Sequence, residues 1–76
     1  MKKEVLNTIN AYTIKVEMEG TTRNQVCQLA DKINEIPGFQ TTEIIFIYSG
    51  KESFIKVYSE SKTANELEEE MKKLGL

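Results

Sequence analysis

Two neighbouring segments, Ile44-Ile45-Phe46-Ile47-Tyr48 and Phe54-Ile55-Lys56-Val57-Tyr58, set large apolar side chains at consecutive positions. Successive residues of a strand point to opposite faces, so a sheet built from these segments is apolar on both sides. A chain of 76 residues has room for few helices. Two are expected, enough to cover one face. The other face then stays open with aromatic and aliphatic groups on it, and surfaces of that kind mark interaction sites.

The rest of the chain supplies the elements in order. Tyr12-Thr13-Ile14-Lys15-Val16-Glu17-Met18 alternates apolar and polar residues with the period of a half-buried strand, and Gly20 ends it. Thr22 and Gln25 have capping-box spacing and open a helix that runs to about Glu35 or Ile36. Val26, Leu29, Ala30, Ile33 and Ile36 form its apolar stripe. Pro37 and Gly38 stop it. Ser49-Gly50-Lys51-Glu52 is a hairpin turn between the two apolar strands. Thr63 and Glu66 repeat the capping-box spacing before a second helix with Ala64, Leu67, Met71 and Leu74 as a narrow seam. Glu66, Glu68, Glu69 and Glu70 precede Lys72 and Lys73, an order that suits the helix dipole, and Glu68–Lys72 and Glu69–Lys73 are i,i+4 pairs.

The order β-α-β-β-α is most of the split β-α-β plan, so the expected fold is a single α+β domain over residues 1–76, ferredoxin-like, with both helices on one face of a small antiparallel sheet. The last strand of that plan is missing. Glu4 to Ile9 can replace it as a strand that turns near Asn10-Ala11 and pairs with Tyr12 to Met18, which gives ββαββα, a circular permutation of the same sheet. A short helix over Lys2 to Thr8 is the competing reading, since Val5 and Ile9 are four apart. Leu6 suits neither seam.

Composition excludes more than it selects. Histidine is absent and Cys27 is alone. The commonest general base, the commonest metal ligand and any internal disulfide go with them. Glycine-rich phosphate loops are absent, and no nucleophile–base pair can be named, so no enzymatic activity and no cofactor are expected. No apolar run reaches the roughly 18 residues of a membrane span, and Glu4, Asn7 and Asn10 interrupt any secretory signal, so a cytoplasmic location is expected. The net charge of −2 opposes broad binding to nucleic acid.

Val16 to Gly20, Ile36-Pro37-Gly38-Phe39 and Lys73-Leu74-Gly75 resemble, in outline, the heavy-metal-associated domains. That resemblance implies the strand-helix-hairpin-helix plan. The family's metal site is a pair of cysteines separated by two residues, in the loop after the first strand. Here that loop reads Gly20-Thr21-Thr22-Arg23-Asn24-Gln25, so the resemblance implies architecture and no metal. Cys27, just beyond it, is expected as a small semi-buried residue at the border of the helical stripe. The glutamates of the second helix are expected to form a solvated face.

The open face therefore carries the functional expectation. With Ile14, Val16, Ile55 and Val57 toward the helices, Thr13, Lys15, Glu17, Phe54, Lys56 and Tyr58 point away. The edge strand adds either Ile44, Phe46 and Tyr48 or Ile45 and Ile47. A surface of Lys15, Phe46, Tyr48, Phe54, Lys56 and Tyr58 reads as a non-catalytic protein-binding face. Its occupant would be a second copy in a homodimer, or a protein that the chain regulates or inhibits. The alternative is single-stranded RNA stacked on the same aromatics beside Lys15 and Lys56.

Overall fold

The computed structural model describes residues 1–8 and 11–76, without the side chains of 7 and 8. Its elements are β1 (Lys3–Thr8), β2 (Ala11–Glu17), α1 (Arg23–Asn34), β3 (Gln40–Phe46), β4 (Glu52–Tyr58) and α2 (Ala64–Lys73). The strands form one antiparallel sheet in the order β1-β2-β4-β3. The N-terminal segment is a strand, not a helix: Val5 stands opposite Ile14 and Leu6 opposite Thr13. Pairing with β2 therefore decides between two local patterns that the segment fits about equally. Ile9, the expected end of this strand, and Asn10, in the expected turn, lie outside the described residues. Ala11, also expected in the turn, opens β2 opposite Thr8.

Local chemistry builds both helices. The Thr22 hydroxyl accepts from the Gln25 amide N–H at 3.2 Å, and the Gln25 side chain accepts from the Thr22 N–H at 2.8 Å, which completes the capping box of α1. At α2 the Thr63 hydroxyl accepts from the Glu66 N–H, while the Glu66 carboxylate lies 3.7 Å from Lys62. Lys73 reaches Glu70, three residues back, instead of the expected Glu69. After α1 the chain reverses at Ile36-Pro37-Gly38-Phe39. The Phe39 N–H donates to the Ile36 carbonyl, and Gly38 has φ +90, as a turn with proline second and glycine third requires. A Cβ at Gly38 would also meet the Lys62 stem at 3.1 Å.

The buried residues gather on one side of the sheet. Ile14, Val16, Ile55 and Val57 pack with Val26, Leu29, Ala30, Ile33, Ile36 and Phe39, and with Leu67 and Met71 of α2. Helix α1 lies against β3 and β4, and α2 lies against β1. Burying a Leu or Ile side chain contributes about 1.5–3 kcal/mol, so this cluster carries the stability of the fold. The Tyr12 hydroxyl, on the same face, donates to the Lys62 carbonyl and ties the start of α2 to β2. Cys27 lies on the solvent side of α1 and is exposed, not semi-buried as its place at the stripe border implied. Among the described residues, no helix is long and apolar enough to cross a membrane.

Candidate interaction surface on the open sheet face

The residues that alternate with the core build the opposite face. In register across β1, β2, β4 and β3 they form a row of Glu4, Lys15, Phe54 and Ile45. The next row is Leu6, Thr13, Lys56 and Glu43. Glu17 and Glu52 flank these rows at one end, and Tyr58 lies toward the other. Leu6, Phe54 and Ile45 are half-buried by their strand neighbours, and Tyr58 is 44% exposed. The result is a low apolar patch with charged residues on both sides.

A bulge in β3 decides which residues of the edge strand join this face. Thr41 points inward, opposite Val57, and its hydroxyl donates to the Ala30 carbonyl at 2.8 Å. The next paired residue is Glu43, opposite Lys56, so Thr42 is the extra residue. Its hydroxyl donates to the Lys56 carbonyl. Unbroken alternation from Thr41 would turn Glu43 toward the core, where an unpaired carboxylate is strongly disfavoured. The bulge turns Glu43 outward instead and sends Ile44 and Phe46 inward, opposite Ile55 and Ser53.

This corrects part of the expected surface. Lys15, Phe54, Lys56 and Tyr58 share the open face, but Phe46 does not. It packs against the core on the helix side, and the Arg23 guanidinium lies 4.7 Å from its ring centroid. That stacking holds a cation in the first turn of α1, a position the helix dipole disfavours. Tyr48 lies past the end of β3 in the hairpin turn and is fully exposed, off the centre of the face. Ile45 takes the place assigned to Phe46, and Leu6 joins from β1. The signal for Leu6 was its misfit to any helical seam, which is what a residue on the second face of a strand shows.

Electrostatics give the face a sign. Its strand residues include four glutamates (Glu4, Glu17, Glu43 and Glu52) and two lysines (Lys15 and Lys56). Each lysine has a carboxylate nearby, Lys15–Glu52 at 3.8 Å and Lys56–Glu43 at 3.9 Å. Exposed pairs of this length contribute little to stability, about 0–1 kcal/mol, but they neutralise the cations locally. Among the described residues, no group of three or more His, Cys, Asp or Glu comes together to hold a metal. Comparison of the chain with protein-family models, curated proteins and solved structures yields no match.

Proposed function

We propose that this chain is a non-catalytic protein-interaction module that docks its open sheet face on another protein. The observation that carries this reading is the pairing of Lys15 with Glu52 and of Lys56 with Glu43 around Phe54. A phosphate backbone is held by free cations, and here both lysines already have carboxylates beside them on a face with more acids than bases. A protein surface with an apolar centre fits Leu6, Ile45, Phe54 and Tyr58, with the charged residues as a polar rim. The partner is a second copy or a heterologous protein that the chain regulates.

In architecture we read the chain as a circularly permuted ferredoxin-like domain. The element order ββαββα with strand order β1-β2-β4-β3 supports this, because moving the last strand of that plan to the front gives the same neighbours.

Site-specific photo-crosslinking in living cells tests the function, with the reactive residue at position 54 and a control at Gln28 on the solvent side of α1. Protein adducts at position 54 and none at position 28 are expected. Adducts that ribonuclease digests would move the reading to single-stranded RNA, for which the aromatics beside Lys15 and Lys56 are the motive. Equal labelling at both positions, or none at 54, would overturn a docking role for this face.

A further inference from the structure

The two outer strands of the sheet are finished differently. β3 is guarded: its Thr41 N–H donates to the Asn34 side chain at 3.0 Å, and the Thr42 bulge breaks its line. β1 runs in unbroken register with β2 from Lys3 to Thr8, with no proline, glycine or bulge. Its outward groups follow from the ladder. The Glu17 N–H donates to the Lys2 carbonyl at 2.9 Å, and antiparallel pairs alternate in bonding. Even-numbered residues of β1 therefore bond to β2, and Lys3, Val5 and Asn7 turn their N–H and C=O groups to the free edge.

Helix α2 runs alongside this edge. The carbonyl of Lys62, just before it, takes the bond from Tyr12, which stands opposite Asn7. Leu76, just after it, lines a cleft with Met1 and Lys3. The middle of α2 is thus abreast of Val5, which is only half-buried. Leu67 and Met71 point into the core, while Glu66, Glu69 and Glu70 line the cleft toward Pro37 and Phe39. At about 100° per residue, Glu68 and Lys72 fall on the remaining flank, above the β1 edge. Both are exposed, and neither is in an ion pair among the described residues.

We propose that two copies of the chain join by antiparallel pairing of β1 with β1, about a two-fold axis through Val5 and perpendicular to the sheet. Val5 then meets Val5 of the second copy, Lys3 meets its Asn7, and Glu4 meets its Leu6. All three outward-facing residues find partners for both backbone groups. An axis at Glu4 would oppose that carboxylate to itself, and an axis at Leu6 would leave Lys3 unmatched within the strand. The same axis sets the two α2 helices side by side and antiparallel, with Glu68 of each copy facing Lys72 of the other. Charge complementarity thus selects a second copy as the occupant. The dimer is a continuous eight-stranded sheet with both open faces on one side, so the second copy is bound through the edge and those faces are left to a heterologous protein.

Sedimentation analysis of the full chain from micromolar to near-millimolar concentration tests it. Val5→Pro removes an outward N–H and leaves the ladder to β2 intact, so it should weaken the dimer by about 100-fold. Glu68→Lys or Lys72→Glu alone sets like charges together and should weaken it by about tenfold. The double exchange Glu68→Lys/Lys72→Glu should restore it, and Phe54→Ser/Tyr58→Ser should leave it unchanged. The exchange decides the matter even where Val5→Pro disturbs folding, because both positions lie exposed on α2. A monomer at every concentration would overturn the proposal. So would a dimer lost in Phe54→Ser/Tyr58→Ser but kept in the β1 and α2 variants, or one that the double exchange fails to restore.

Discussion

The two faces of this sheet use the same strands for different work. On the covered face Ile14, Val16, Ile55, Val57 and Leu67 are all fully buried, and apolar residues meet apolar residues from both helices. On the open face Leu6, Phe54 and Ile45 are shielded only by their strand neighbours and stand among six charged side chains, Glu4, Lys15, Glu17, Glu43, Glu52 and Lys56. The first arrangement excludes water and holds the fold together. The second leaves apolar groups half-wet, which adds little to stability and makes sense when something else covers them. Both β3 and β4 carry apolar groups on each face, so the difference lies in the charged residues beside them on the open face and in the helices that cover only the other.

Substitutions that treat the two faces alike would break this contrast. Leu67→Ala should have the largest effect, a loss of about 2–5 kcal/mol in urea unfolding, because it removes the buried anchor of α2. Phe54→Ser/Tyr58→Ser, although it removes two aromatic rings, should cost only about 1–2 kcal/mol, since what it loses is chiefly cross-strand packing. A loss equal to that of Leu67→Ala would mean the open face is part of the core.

Two smaller effects sharpen the picture of the covered face. Deleting Thr42 removes the bulge and keeps Thr41–Val57, Glu43–Lys56 and Ile44–Ile55 in their present pairs. It should cost about 1 kcal/mol or less in thermal or urea unfolding. A loss several times larger would show that the bulge shapes more than the strand's alternation. Ser53 is fully buried, and its hydroxyl has no hydrogen-bond partner among the described residues. Ser53→Ala should therefore stabilise the protein, by about 1 kcal/mol, because it removes an unsatisfied polar atom. A destabilised Ser53→Ala would point to a bound water or ligand group at that hydroxyl.

What could be read in the chain followed the range of the interactions. The capping box of Thr22 and Gln25, the Pro37-Gly38 reversal and the Leu67–Met71 part of the α2 seam depend on residues within a turn of one another, and they appear where the spacing puts them. Leu74, expected in the same seam, lies past the end of α2 and is exposed. The parity of β3 does not. Ile44 to Tyr48 is apolar at every position, and Thr42 has no feature that announces a bulge, so Phe46 and Ile45 could each belong to either face. Glu43 settles it through the penalty for burying its carboxylate, a constraint that exists only once Thr41 is fixed under Ala30. The strand at β1 was open for the same reason, because only its pairing with β2 separates it from a short helix.

The separation of the two faces is tested most directly by one paired measurement on Phe54→Ser/Tyr58→Ser: urea unfolding, together with photo-crosslinking from position 45 in cells. A cooperative transition within about 1–2 kcal/mol of the parent, with the protein adducts at position 45 abolished, is the expected result. Loss of cooperative unfolding, or adducts that persist unchanged, would contradict a face that binds without holding the fold.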